Sequence, residues 1–215
     1  MTRALVCLAL LWPALAAAQG EVPIRRMDFH ERGGQLTVSG TFTDVFDKPM
    51  LEQLSNGFVT TVVVRAYLYR VGDDTRAVGF ALGEIRIAYD VWDEVFVIRV
   101  RDRVGQRTFR ERTRADALRR ATELFYFPVA PLTDVAIGPH YFCGVVVAVN
   151  PVSEEILAEV RRWLARPAGG AQIAGDSSFF GSFVSEFVNP RVAEADRVLR
   201  FRTQPVYRLK RKATP

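Results

Sequence analysis

The sequence predicts a mainly β protein of α+β class, an antiparallel β-sandwich with three to four short packed helices. Three observations lead to this expectation. Apolar and polar residues alternate with a period of two in several segments, glycine-rich turns separate these segments, and the run from Val145 to Val149 is apolar at every position. Alternation is typical of a strand with one face on a core and one in water, whereas an uninterrupted apolar run predicts a central strand covered on both faces.

The strands follow one another along the chain with turn residues between them. The first two form a hairpin in IRRMDFHERGGQLTVSGTF, where Gly33 and Gly34 supply the positive φ angles of a tight two-residue turn. In TTVVVRAYLYR, residues 60–70, one face carries Val62, Val64, Ala66 and Leu68, and the loop VGDDTRAVG leads into the next strand. EIRIAYD, VFVIRVRD and RVLRFRT alternate in the same way. These patterns predict strands that are buried on one face only.

Four segments between the strands carry helix signals. In DKPMLEQLSNG, Asp47 is placed to cap a helix that has Pro49 in its first turn, and in TRADALRRATEL, Thr113 and Asp116 form a capping box. SEEILAEVRRWL has glutamates in its first turn and arginines in its last, an order that suits the helix dipole. The fourth segment is DSSFFGSFVSEFVNPR, residues 176–191. We expect each of them to be a helix packed on the strands.

The fourth predicted helix carries a stripe of large apolar residues at helical period, formed by Phe179, Phe180, Phe183 and Phe187. The opposite face has serine, glycine and Glu186 but no cation, and this disfavours a helix lying on an anionic membrane surface. Two interpretations stay open. The helix docks on the protein's own sheet, or the four phenylalanines bind a partner protein in a groove.

The N-terminus is typical of a secretory signal peptide. In MTRALVCLALLWPALAAAQG, Arg3 precedes an apolar stretch and a small-residue cleavage site near Ala18. We therefore expect a signal peptide over residues 1–18, a single β-sandwich domain with helical insertions over 19–208, and a basic tail over 209–215. The mature chain is expected in the periplasm or outside the cell, with no transmembrane segment. Cleavage removes Cys7 and leaves Cys143, so no internal disulfide is expected.

Arginine dominates the basic residues of a chain whose formal net charge is +5. Six arginines fall on the outward faces of predicted strands: Arg65, Arg86, Arg99, Arg101, Arg200 and Arg202. If these strands adjoin, the guanidinium groups form a face able to hold carboxylates or phosphates by bidentate contacts. The alternative is a solvated face that does little. The terminal cluster RLKRK, residues 208–212, is expected to be solvated, and an exported chain is not expected to bind nucleic acid.

Signals for catalysis and metal binding are weak. The two histidines, His30 and His140, lack a recognisable triad context, and no G-x-S-x-G elbow or glycine-rich phosphate loop occurs. His140 and Cys143 lie three residues apart on a predicted strand, so they face opposite sides and make a poor zinc pair. The carboxylates of DVWDE, residues 90–94, are candidates for a weak cation site, although turn chemistry also explains them. We expect no catalytic residues, no metal and no cofactor.

Several segments in order carry a family resemblance: LTVSGTFTDVF, LEQLSNG with FVTTVVVRAYLYR, RIAYDVWDEVFVIRV, ADALRRATELFYFPVAPL and HYFCGVVVAVNPVSEEILAEVRRWL. Over about Val38 to Leu164 they resemble exported proteobacterial proteins of domain-of-unknown-function family 4390. Residues 171–208 fall outside the resemblance, which brings no catalytic or binding residues with it. Because members accompany membrane sensor kinases in gene order, the resemblance implies a role in envelope signalling.

Together these observations favour a non-enzymatic exported protein that binds an envelope partner or a ligand, as an accessory to an envelope sensor kinase. Two alternatives stay open. One is a periplasmic hydrolase that uses His30 or His140. The other is a carrier of a hydrophobic ligand, held in an apolar pocket between the sheet and the helix of Phe179 to Phe187.

Overall fold

The computed structural model describes residues 22–151, 158, 161–162, 165, 187 and 195–209. These residues form two β-sheets and are mainly β, as the alternating pattern predicts. The strands are β1 (Ile24–Arg25), β2 (Asp28–Arg32), β3 (Gln35–Thr41), β4 (Thr60–Arg70), β5 (Gly79–Asp90), β6 (Val95–Asp102), β7 (Gly105–Glu111), β8 (Glu123–Pro131), β9 (His140–Pro151), β10 (Ala195–Thr203) and β11 (Val206–Tyr207). The helices are α1 (Lys48–Ser55) and α2 (Arg114–Thr122), and a 3-10 turn covers Thr43–Val45.

The larger sheet has eight strands in the order β1-β10-β9-β4-β5-β6-β7, with β11 also paired to β9. Its pairs are antiparallel except β1 with β10. The smaller sheet has the order β2-β3-β8 and is antiparallel. It packs with α1 and α2 against one face of the larger sheet, which we name the inner face. Strands from near both ends of the described chain thus meet in one sheet.

Local sequence signals account for the first hairpin and for both helices. Gly33 and Gly34 turn β2 into β3 with φ angles of 57° and 73°. Asp47 caps α1 by accepting a hydrogen bond from the backbone N–H of Met50 at 3.1 Å, and Thr113 caps α2 in the same way. Caps of this kind satisfy backbone donors that a helix leaves unpaired at its start.

Two α-helices lie within the described residues, fewer than the three to four predicted. The predicted third and fourth helices fall almost wholly outside them. Helix α2 is also shorter than the capping pattern suggests, because Glu123 and Leu124 pair with Thr41 and Gly40 as the first residues of β8. Strand pairing there takes the last two residues of TRADALRRATEL, the segment that was predicted to be helical.

The inner face of β5 explains how the two sheets approach each other. Gly79, Ala81 and Gly83 occupy successive inward positions, and β8 lies over this small-residue stretch. A Cβ built on Gly79 would lie 2.5 Å from the carbonyl oxygen of Val129, and one on Gly83 would lie 3.1 Å from the ring of Phe127. The larger Ile85 and Ile87 follow, where helices contact β5.

The outer face of the larger sheet is more buried than the alternating pattern predicts. β4 was expected to turn one face to water, and this expectation is wrong: Val63, Tyr67 and Tyr69 on its outer side are 1% exposed or less. They belong to a second apolar cluster that includes Phe187. The ring of Phe187 lies over Gly144 of β9, where a Cβ would come within 2.6 Å of it. The central strands are therefore covered on both faces.

The C-terminal end of the described chain also departs from expectation. Arg208, predicted to be solvated, has a side chain that is only 18% exposed. It donates hydrogen bonds to a carboxylate oxygen of Glu31 at 2.8 Å and to the carbonyl oxygens of Leu132 and Val135. One arginine thereby ties the chain after β11 to the smaller sheet and to the loop that follows β8. The remaining residues of the predicted cluster from 210 onward lie outside the described residues.

Candidate functional site: an arginine-bearing sheet face

All six arginines singled out in the sequence lie on the outer face of the larger sheet. The pairing register of the strands shows this position, because residues that lie directly opposite each other on neighbouring strands point to the same face of the sheet. Arg65 on β4 lies opposite Val146 of β9, which lies opposite Arg200 of β10. On β5 and β6, Arg86 lies opposite Arg99. Of the strands that carry these arginines, β4, β5 and β6 adjoin as expected, whereas β9 separates β10 from β4.

The face divides into two groups with different surroundings. Arg65, Arg200 and Arg202 are half-buried and lie on the strands nearest Phe187. The guanidinium carbon of Arg202 is 5.9 Å from the ring centre of Phe142. Because these three side chains are half-buried, they are less accessible to a ligand than the exposed arginines of the same face.

The second group, which we name the arginine cluster, consists of Arg86, Arg99 and Arg101, all exposed. Glu84 lies among them, opposite Arg101, and accepts a hydrogen bond from Nε of Arg86 at 2.6 Å. Three cations against one carboxylate leave two positive charges. Of the carboxylates in the described ranges, none forms an ion pair with Arg99 or Arg101.

The pairing of Arg86 with Arg99 is electrostatically unfavourable. Like charges directly opposite on neighbouring strands, with Cβ atoms about 5 Å apart, destabilise a sheet. The Glu84 carboxylate relieves part of this repulsion by accepting a hydrogen bond from Arg86, and its side chain is already engaged in that contact. An anion placed over Arg99 and Arg101 would relieve the rest, because each guanidinium presents a planar set of donors that matches a carboxylate or a phosphate.

The other conspicuous side chains of the sequence lie apart from this cluster. Cys143 is fully buried on the inner face, and burial raises the pKa of its thiol to about 12. His140 is exposed at the start of β9, with its ring 5.0 Å from that of Tyr207. The structure thus separates the two potential zinc ligands. Among the described residues no three histidine, cysteine, aspartate or glutamate side chains are grouped to hold a metal ion.

The burial of Cys143 leads to a prediction about its chemistry. In a Cys7→Ser chain, where Cys143 is the sole thiol, we expect a disulfide reagent to label the protein only after unfolding, because the thiolate is the reactive form and the folded thiol stays protonated. A thiol pKa that rises from 9.0 to about 12 on folding also means that stability falls as the pH increases from about 9 toward 12. Rapid labelling of the folded chain at pH 8 would contradict this.

His30 lines a pocket of about 440 Å³, and His140 packs against Tyr207, which also lines it. Its lining includes His30, Glu31, Tyr207 and Arg208, together with apolar residues of both sheets. The ring of His30 packs edge-on against Tyr126 at 5.1 Å between centres. In the described part of the chain neither imidazole hydrogen-bonds a carboxylate or a hydroxyl, so the hydrolase alternative stays a prediction without a geometric counterpart.

The carboxylates at the β5–β6 turn have local roles. Asp90 accepts hydrogen bonds from the backbone N–H groups of Trp92 and Asp93 at 3.1 and 3.2 Å, and Asp93 pairs with Arg110. Next to them Trp92 is 92% exposed, a feature that the alternating pattern did not reveal because the tryptophan lies in a turn. Asp90 and Asp93 are thus accounted for by turn and ion-pair chemistry.

Of the four phenylalanines proposed to bind a partner, Phe187 is 5% exposed and packs against Tyr67, with ring centres 6.1 Å apart. This favours docking on the protein's own sheet for that residue. Phe179, Phe180 and Phe183 lie outside the described residues, so their partner-binding role stays a prediction. No helix in the described ranges is long and apolar enough to cross a membrane.

Comparisons of this chain with protein-family models, with curated proteins and with solved structures found no match. The resemblance to the exported proteobacterial family therefore stays a prediction from the sequence.

Proposed function

We propose that this chain is a non-enzymatic exported binding protein that recognises an anionic group of an envelope partner through the arginine cluster. One observation carries the proposal: Arg86, Arg99 and Arg101 are exposed on one rigid sheet face with a single carboxylate, Glu84, among them. Because the sheet fixes the backbone of these residues, only their side-chain rotamers have to become ordered when an anion binds.

The location and the partner follow from sequence features. The N-terminal segment is typical of an export signal, and the family resemblance implies an accessory of an envelope sensor kinase. Such a partner would need carboxylates or phosphates placed to meet Arg99 and Arg101, which lie two residues apart on β6 and hence about 6.6 to 6.8 Å apart along the strand.

A defined probe tests the proposal. We expect a fluorescently labelled glutamate decamer to bind the wild-type chain, and Arg99→Glu with Arg101→Glu to weaken binding by at least about tenfold, equivalent to about 1.4 kcal/mol. Fluorescence anisotropy at about 0.15 M salt, where the Debye length is about 8 Å, gives both affinities. A glutamine decamer of equal length should not bind.

The matched control is Arg26→Glu with Arg76→Glu, which changes the net charge equally at two exposed arginines outside the cluster. We expect it to weaken binding less than about threefold, because long-range charge effects are screened. Equal losses in both double variants, or no binding of the glutamate decamer to the wild-type chain, would overturn the proposal.

A further inference from the structure

The larger sheet ends at β7, and this edge is open in the described part of the chain. β7 pairs with β6, and the described residues provide no strand on its other side. Five of its seven residues are exposed. A row of unpaired backbone N–H and C=O groups at a sheet edge is a ready template for a further strand.

β7 lacks two of the devices that commonly protect an edge, a bulge and a proline, although it carries the charged residues Arg107, Arg110 and Glu111. Its register with β6 runs without a bulge from Gly105 opposite Asp102 to Glu111 opposite Phe96, and it contains no proline. The edges formed by β1 and β8 differ in this respect: β1 has only two residues, and β8 carries Pro128 and Pro131 with irregular pairing to β3. Proline removes an edge donor and a bulge disrupts the ladder.

The edge adjoins the arginine cluster in a suitable register. Gln106 and Thr108 of β7 lie opposite Arg101 and Arg99 on the outer face, and both are uncharged. A strand added to β7 would lie about 9.6 Å from β6, since strands are about 4.8 Å apart. The side chain of an arginine on β6 and the side chain of a glutamate on the added strand can extend toward each other above Gln106 or Thr108. Together they are long enough to cross that distance.

Resting on the proposed function, we infer that the partner contributes an extended segment with acidic residues at alternate positions, which adds to β7 as a further strand. Alternate residues of a strand share one face and lie about 6.6 to 6.8 Å apart. That spacing equals the spacing of Arg99 and Arg101 along β6, so two carboxylates of the segment meet two guanidinium groups. Backbone hydrogen bonds to β7 give affinity, and the two charge pairs select acidic sequences.

The test compares two peptides of equal composition on the full-length chain: alternating Glu-Thr repeats of ten residues, and a block of five glutamates followed by five threonines. We expect the alternating peptide to bind at least about tenfold more tightly by anisotropy. At saturation, amide hydrogen exchange within residues 105–111 should slow by at least about tenfold, while exchange in β8 stays unchanged. The Arg99→Glu/Arg101→Glu variant should lose both effects.

Each of the other outcomes overturns either strand addition, the alternate spacing or the proposed function. Binding that depends on the arginines but leaves exchange in 105–111 unchanged would overturn strand addition and leave the proposed function standing. Equal affinity for the two peptides would overturn the alternate spacing. If neither peptide nor the glutamate decamer binds, the proposed function fails and this inference fails with it.

Discussion

Replacing Gly79 with alanine is expected to lower the free energy of unfolding by about 3 kcal/mol, near the upper end of the range for an overpacked core. The added Cβ would lie 2.5 Å from the carbonyl oxygen of Val129 and 2.6 Å from the Cβ of Ala130. Neither atom belongs to a flexible side chain, so β8 must move away from β5. The φ angle of Gly79 is not positive, and without this contact alanine would stabilise the strand.

Gly83→Ala is the matched control for this prediction. It lies on the same strand and the same face, but its nearest neighbour is the edge of the Phe127 ring at 3.1 Å, which can shift by a few tenths of an ångström. We expect a loss below about 1 kcal/mol. Chemical denaturation gives both values, and for a domain of this size each kcal/mol lowers the melting temperature by about 2 to 4 °C. A neutral or stabilising Gly79→Ala would contradict the close approach of the two sheets.

The second large effect concerns the outer face. Gly144→Ala places a Cβ within 2.6 Å of the Phe187 ring, and Phe187→Ala removes an aromatic ring that is 5% exposed. We expect each single variant to be destabilised, the first by about 1 to 3 kcal/mol and the second by about 3 kcal/mol. The double variant should lose at least about 1 kcal/mol less than the sum, because the new methyl group occupies space that the ring has left.

A double-mutant cycle measured by denaturation gives this coupling. As a control, Phe187→Ala combined with Gly83→Ala should be additive, since Gly83 contacts Phe127 from the inner face of the sheet. Additive losses for Gly144 and Phe187 would show that the ring does not lie over β9. An undiminished melting temperature in Phe187→Ala would lead to the same conclusion.

The sequence was sufficient for features that depend on local periodicity. Alternation placed Val62 and Val64 on the inner face of β4 and Arg99 and Arg101 on the outer face of β6, because side chains in a strand alternate regardless of the partner strand. The caps of α1 and α2 were predictable for the same reason, since each depends on residues within one turn. The uninterrupted apolar run of β9 likewise predicted a strand that is covered on both faces.

Features that depend on distant contacts were not predictable. The outer side of β4 is buried because Phe187, more than a hundred positions away, packs beside Tyr67. β8 was missed because Pro128 and Pro131 ordinarily argue against a strand, and it is tolerated here at a sheet edge. β7 was missed because GQRTFRE has little apolar alternation and owes its conformation to pairing with β6.

The arginine-bearing face depends both on local alternation and on contacts between residues that are distant in the sequence. The alternation on each strand correctly predicted outward arginines, but the opposition of Arg86 and Arg99 depends on the register across the β5–β6 turn. The half-buried position of Arg65 and Arg200 depends on neighbours brought together by the topology. The sequence predicted six equivalent outward arginines, whereas in the structure three of them are half-buried and the other three form the exposed cluster.

The most direct test of the central claim is a titration of the ¹⁵N-labelled chain with the alternating Glu-Thr peptide, observed through the arginine Nε–H signals. Bidentate contact with a carboxylate changes the environment of the Nε–H group itself. We expect saturable shifts for Arg86, Arg99 and Arg101 and none for the exposed Arg26 and Arg76. Shifts of similar size in all exposed arginines, or none in the cluster, would contradict that claim.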